Sequence, residues 1–467
     1  MSQLALEQDL SRLDRPDFSI DSSRHSQAHF RPPASITSIP TEVLCMIFEA
    51  GKMISVEDPF EILVSQIENR WRAAAVHHAR LWTRVVFDTS ARHAEEMADH
   101  YIHRSGALPL DVIYRIKLAA DVDLRDLNIF FSMSKLVCSR VERWNRLWVT
   151  AESPSALAFF LAELPDKAPI LRSLEISLNL QPWMSPDLPP KIFIGGAPSL
   201  ASLLLKGVIP SGLPPLATVS NLRIHTPFNT TSVILPWGVF DEFRSLSHLA
   251  LSNVDIERES ASNVEISTLQ TLSLYYVPNC PGMLEMISAP LLHTLYMDPI
   301  HRDELHEIAT WPSTASRFPI LSSLSVGLLE IGQVPTIVWQ GLMRVFPKVM
   351  HFTILRTQFD NLAQALWEAS ASLWPNLKIL SFPEANHVEF LEKILSRRRE
   401  EGCPIEKLQL STHVMAKLGE ALLQLQDQTD VEESNVCEAM AQSWTGRWLS
   451  DEEVDQDEVD IDDSDTE

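Results

Sequence analysis

The sequence predicts an α/β fold in which a small N-terminal helical module is followed by an irregular solenoid of short repeats. Three observations carry that expectation. Residues 36–87 hold apolar stripes at helical spacing. From Trp144 onward an apolar residue is followed, three and then five positions later, by two more, and this triplet recurs along the chain. Between copies the texture alternates between strand-like and helical, as expected when parallel strands are joined by crossovers.

In the module, Pro40 suits a first helical position, Glu42 favours the positive end of the helix dipole, and Gly51 suits a C-terminal stop. Between them Val43, Leu44, Ile47 and Phe48 form one apolar face. A second helix is expected after Pro59, with the stripe Val64, Ile67, Trp71 and Ala74. Leu81-Trp82 then leads into a β-like run, Val85-Val86-Phe87. Residues 91–104 read as a helix, and the alternating Leu110, Val112, Tyr114 and Ile116 as a strand.

The triplets are Trp144/Leu147/Val149, Leu171/Leu174/Ile176, Leu200/Leu203/Leu205, Val219/Leu222/Ile224, Leu246/Leu249/Leu251 and Leu269/Leu272/Leu274. They continue as Leu292/Leu295/Met297, Leu321/Leu324/Val326, Val349/Phe352/Ile354, Leu377/Leu380/Phe382 and Ile405/Leu408/Leu410. Successive copies start 19 to 29 residues apart, the spacing of leucine-rich repeats apart from one short step. A short strand turns two alternate residues inward and a third packs just upstream. No single copy buries its face, so the copies must stack on one another. Prolines precede many copies (Pro169, Pro198, Pro290, Pro319, Pro347, Pro375, Pro404), where they stop the preceding segment without competing for ladder bonds. The asparagine that usually closes each leucine-rich turn is mostly missing, so the repeats read as degenerate.

The expected organisation is a disordered arm at 1–35, the helical module at 36–87, a linking αβ segment at 88–140 and the repeats at 141–412. A C-terminal segment at 413–450 and an acidic disordered tail at 451–467 follow. That tail carries eleven Asp or Glu and no Lys or Arg.

Composition narrows the function. A net charge of -24 argues against non-specific binding to nucleic acid or anionic membranes, which needs clustered Lys and Arg. The five cysteines (Cys45, Cys138, Cys280, Cys403, Cys437) are scattered singly, which suits a reducing compartment and offers no paired zinc ligands. His77 and His78, adjacent on a helix, point about 100° apart and do not share a metal easily. The start of the chain has no secretory apolar run, and no stretch reaches the roughly 18 apolar residues of a membrane span. The expected location is intracellular, cytoplasmic or nuclear. No GxGxxG after a strand, GxxxxGK[ST], GxSxG or HExxH is present, so no catalytic residues, metal or cofactor are expected. Strand positions between the apolar ones, such as Ser173, Ser202, Ser247 and Thr271, are the expected contributors to a binding surface.

Ile39-Pro40-Thr41-Glu42-Val43-Leu44, Ile47-Phe48, Val64, Ile67, Trp71-Arg72, Ala74 and Leu81-Trp82 together resemble an F-box, more narrowly that of the F-box proteins abundant in mushroom-forming fungi. The run Arg104-Ser105-Gly106-Ala107-Leu108-Pro109-Leu110 also matches the segment that comes next in that group. Ile39 stands for the usual Leu, Glu68 where a cysteine is common, and Ala79-Arg80 where a proline usually precedes Leu-Trp. The resemblance implies a three-helix unit docking on a Skp-family adaptor of a cullin-RING ubiquitin ligase, with the repeats presenting an unknown substrate protein. It places Ile39, Pro40, Val43, Leu44, Ile47 and Phe48 at the adaptor, and Val64, Ile67, Trp71, Leu81 and Trp82 in the module core. The alternatives are a non-catalytic repeat scaffold, in which the module only caps the solenoid, and an enzyme whose site is assembled from distant residues.

Overall fold

The computed structural model describes residues 39–434 apart from 55–58, 92, 119–123, 180–190, 211, 228–232, 258–262, 313–316, 330–333, 356–359, 369–372 and 383–387. The expected arm (1–35), the tail (451–467) and the segment after residue 434 lie outside the described residues.

Three helices open the described chain: α1 (Thr41–Ile54), α2 (Phe60–Ile67) and α3 (Asn69–His77). A 3-10 turn over Ala79–Trp82 leads into β1 (Arg84–Asp88). Next come α4 (Ala94–Arg104), β2 (Leu110–Ile116), α5 (Leu124–Cys138), β3 (Trp144–Ala151), α6 (Pro154–Ala162), β4 (Ser173–Leu178), β5 (Ser202–Lys206) and β6 (Asn221–His225). The middle of the chain gives β7 (Val233–Pro236), β8 (His248–Ser252), β9 (Val254–Glu257), β10 (Val264–Glu265), β11 (Thr271–Tyr275), α7 (Cys280–Met286), β12 (Ile287–Ser288) and β13 (Thr294–Ile300). The last part holds α8 (Arg302–Ala309), β14 (Ser323–Leu328), α9 (Thr336–Val345), β15 (His351–Leu355), α10 (Asp360–Glu368) and β16 (Ile379–Phe382). It closes with α11 (Val388–Glu400), β17 (Lys407–Leu410), α12 (Thr412–Leu418), α13 (Glu420–Gln426) and β18 (Asp430–Glu433).

Among the described residues fourteen strands form one open, parallel sheet in the order β1-β2-β3-β4-β5-β6-β8-β11-β13-β14-β15-β16-β17-β18. The order runs with the chain, so each new strand adds to the same growing edge. The register shows why. Leu147 lies opposite Leu174, Leu174 opposite Leu203, Leu203 opposite Leu222 and Leu222 opposite Leu249. The row continues through Leu272, Leu295, Leu324, Phe352, Leu380 and Leu408. The second and third members of every triplet thus sit at equivalent strand positions, and all are buried. A slip of one residue would turn a whole row out of the core. Two small parallel pairs, β7 with β9 and β10 with β12, form in the return segments.

From β1 to β4, and again beyond β11, helices cover the face carrying those rows. Tyr114 of β2 packs on Phe160 of α6 at 4.8 Å and on Phe130 of α5 at 6.4 Å, and Phe352 of β15 lies 6.2 Å from Trp339 of α9. Neighbouring return helices touch: a Cβ on Gly341 of α9 would lie 2.5 Å from the Ala309 carbonyl of α8, so this approach requires glycine. The boundaries expected at 87/88 and 140/141 do not interrupt the sheet, because β1, β2 and β3 pair in sequence. One hydrophobic core runs from Leu44 to Leu425.

Two local expectations change. α1 continues to Ile54, past the expected stop at Gly51, where a Cβ would meet the Phe60 ring at 2.3 Å. The glycine therefore makes room for a ring and does not end the helix. The single helix expected after Pro59 is two, α2 and α3, broken where Glu68 takes an extended backbone (φ -153, ψ 165).

Candidate partner interface

The three helices are built around Phe48, whose ring lies 5.3 Å from that of Trp71 and 6.4 Å from that of Phe60. A polar network ties the unit to the turn at Leu81 and to α4. Lys52 pairs with Glu61 at 3.4 Å and donates to the Leu81 carbonyl, while the Tyr101 hydroxyl donates to Glu61. Burial pushes the Lys52 amine down and the Glu61 carboxylate holds it up. The same burial, reinforced by Glu61, raises the Tyr101 phenol. The Trp82 indole N–H donates to the Ala75 carbonyl at 2.8 Å; its ring meets Tyr101 edge-on at 4.9 Å, and Arg104 lies over its face at 4.3 Å. Arg143 clamps the turn after α4, donating to the Leu108 carbonyl at 2.8 Å and to the Ser105 hydroxyl at 2.7 Å.

The structure separates the residues of the expected adaptor face. Leu44 and Phe48 are buried within the unit, Phe48 to 0% exposure. Val43 and Ile47 are exposed, Ile47 to 46%, with Ile39 half-buried and Pro40 exposed. The reason is angular. Four residues at offsets 0, 1, 4 and 5 span about 140° of a helix, wider than one packing interface. Leu44 and Phe48 occupy the inward edge of that arc, Val43 and Ile47 the outward edge. Met46 and Ile54 extend the outward edge and are exposed as well. α2 presents exposed Leu63 and Ile67 at i, i+4. Of the residues expected in the module core, Val64, Leu81 and Trp82 are buried and Trp71 is half-buried, but Ile67 is 60% exposed. It sits at the last turn of α2, and the break at Glu68 removes the continuous stripe that would have turned it inward. Met46, Ile54 and Leu63 were not singled out from the sequence. Their spacing from Val43, Ile47 and Ile67 on the same helices was the available signal.

A second surface is the side of the sheet away from the helices. One row across it reads Arg84, Asp111, Arg146, Ser173, Ser202, Asn221, His248, Thr271. The next reads Val86, Ile113, Trp148, Glu175, Leu204, Arg223, Ala250, Ser273. Ser173, Ser202 and Thr271 thus lie on this side, whereas His248 occupies the row position expected of Ser247, one residue before β8. Arg84, Asp111, Arg146, Trp148, Ser173 and Glu175 line a depression of about 70 Å3. Burial pushes the Glu175 carboxyl up to about 7 against the pull of Lys206 and Arg223. His225, whose Nδ1 lies 2.8 Å from the Ser252 hydroxyl, is pushed down to about 4 by burial and by Lys206.

Among the described residues no group of three or more His, Cys, Asp or Glu side chains is arranged to hold a metal ion, and no helix is long and apolar enough to cross a membrane. No protein-family model matches the chain, and no curated protein matches it in sequence.

Proposed function

We propose that the chain is a substrate-recruiting adaptor subunit of a cullin-RING ubiquitin ligase, with α1–α3 acting as an F-box that docks on a Skp-family adaptor. The strands beyond α3 act as a degenerate leucine-rich-repeat solenoid that holds a substrate protein. The observation that carries this reading is that α1 has two apolar sides. Leu44 and Phe48 fill the unit's own core, so Val43, Met46, Ile47 and Ile54 are surplus to folding. Contiguous exposed apolar surface on a small unit marks an interaction site, and an amphipathic helix entering an apolar groove is a common form of it. Complete burial of side chains of this size contributes about 1.5–3 kcal/mol each, against which stand the costs of association. The triplet rows support the second half of the reading, because a stack built one strand per repeat leaves a long, unbroken surface for a partner.

A specific observation favours the alternative, a repeat scaffold whose helical unit is only a cap. The inner side of the unit is continuous with the sheet core through Trp82, Tyr101 and the Lys52–Glu61 pair. Affinity isolation of the intact chain, with its companions identified by mass spectrometry, separates the two. Recruitment requires a Skp-family adaptor and a cullin in the eluate. Their absence leaves the cap.

A further inference from the structure

Charge is unevenly distributed over the open side of the sheet. Among the described residues, the outward positions of β1–β6 carry Arg84, Arg115, Arg146, Lys206 and Arg223 against Asp88, Asp111 and Glu175. Asp88 is held by Lys117 at 3.4 Å and by Ser90, and Asp111 accepts from Asn145 at 2.8 Å. The outward positions of β11, β14 and β16 are mainly Thr and Ser, and at the far edge Lys407 is matched by Glu432 at 2.6 Å. A chain of net charge -24 therefore gathers a cationic excess on one end of one surface, the end that adjoins the three-helix unit in the chain.

The setting adds to the count. Arg84 and Arg223 are partly desolvated, and burial lowers both guanidinium groups despite the nearby carboxylates of Asp111 and Glu175. An arginine guanidinium engages a carboxylate with two parallel hydrogen bonds. The half-buried Trp148 stands among these cations and supplies a flat apolar contact. Strands repeat about every 4.8 Å, which puts Arg84 and Arg146, two strands apart in one row, about 10 Å from each other. An extended peptide crossing the strands sets alternate side chains about 7 Å apart, within reach of long arginine side chains.

We infer that the open side of β1–β6 binds an extended acidic segment of a partner protein. This rests on the recruiting role only in calling that protein the substrate; the binding itself needs no adaptor. The chain has an acidic segment of its own, residues 451–467, but it is joined beyond β18. Eight strand spacings, about 38 Å, separate β18 from the nearest edge of the cationic patch, whereas a flexible linker as long as residues 435–450 spans about 22 Å on average, so an outside partner, which needs no stretched linker, is the favoured occupant.

The test uses the full-length chain and three fluorescein-labelled dodecapeptides, of alternating Glu-Ser, Gln-Ser and Lys-Ser, followed by anisotropy. The Glu-Ser peptide is expected to bind at least about tenfold more tightly than the other two, and to lose about tenfold between about 50 and about 300 mM salt. Arg146→Glu combined with Arg223→Glu should weaken it at least about tenfold, and the milder Arg146→Gln should do so partially. Ser325→Glu, on the uncharged stretch, should leave it unchanged. Circular dichroism confirms that each variant is folded. Equal binding of the three peptides, or no effect of the folded double reversal, overturns the inference. So does binding that appears only when the eleven acidic residues of 451–467 are replaced by their amides, because the occupant is then the chain's own segment. None of these outcomes depends on whether a Skp-family adaptor is ever captured.

Discussion

Replacing Glu175 by glutamine removes a carboxyl whose proton affinity differs strongly between the folded and unfolded chain. Burial on the outward face of β4 raises it from the ordinary 4.5 to about 7, Lys206 and Arg223 offsetting only part of that effect. Between those limits the folded chain holds a proton that the unfolded chain has released. The carboxyl's contribution is therefore most favourable below pH 4.5 and is lost as pH rises towards 7. At about 1.4 kcal/mol per pH unit the loss is at most about 3 kcal/mol, and about 2 kcal/mol after discounting for solvent around a half-buried side chain. His225 works in the opposite direction. Held down from 6.5 to about 4, it refuses in the folded state a proton that the unfolded chain accepts, so its contribution is lost as pH falls through that range. The two nearly cancel between about pH 4.5 and 6.5 in the wild type. Glu175→Gln breaks the balance. Urea unfolding followed by tryptophan fluorescence should show the variant more stable by about 2 kcal/mol near pH 8 and indistinguishable near pH 4.5. The variant should also lose stability more steeply on acidification. A variant less stable than wild type near pH 8, or a difference that does not change with pH, refutes the reasoning.

Gly51→Ala tests the packing of α1. Alanine is the better helix former by about 1 kcal/mol, yet its methyl group would lie 2.3 Å from the Phe60 ring, so the variant should melt lower, with a net cost of about 1–3 kcal/mol. Lys52→Met leaves Glu61, 4% exposed, without its cationic partner; a loss of about 3–5 kcal/mol is expected by thermal melting, and adding Glu61→Gln should recover much of it.

The repeat spacing was legible because its cause is local: a triplet at offsets 0, 3 and 5 needs only the alternation of a strand and one upstream anchor. Every triplet accordingly supplies a strand, and its second and third members meet their counterparts in register. Which edge of a wide apolar arc turns inward is decided by neighbours distant in sequence. Val43, Leu44, Ile47 and Phe48 read as one face until Trp71 and Phe60 claim Phe48. The break at Glu68 was hidden for a related reason. The three-four-three spacing of Val64, Ile67, Trp71 and Ala74 is correct for a continuous helix, and neither proline nor glycine marks the interruption. The cationic patch was invisible because Arg84, Arg146 and Arg223 are separated by tens of residues and come to one side of the sheet only through strand pairing.

Ile47 and Phe48 are adjacent in sequence and point about 100° apart, one exposed and one buried, so they test most directly the claim that α1 keeps one side for its own core and the other for a partner. Ile47→Asp and Phe48→Asp are compared with wild type for melting temperature and for retention of the proposed Skp-family adaptor. Ile47→Asp should melt close to wild type and lose the adaptor, since a carboxylate forced into an apolar groove costs several kcal/mol and 4 kcal/mol is about a thousandfold in affinity. Phe48→Asp should melt far lower, because its ring is fully enclosed by Trp71 and Phe60. An Ile47→Asp chain that keeps its adaptor, or that unfolds as readily as Phe48→Asp, would contradict the two-sided helix.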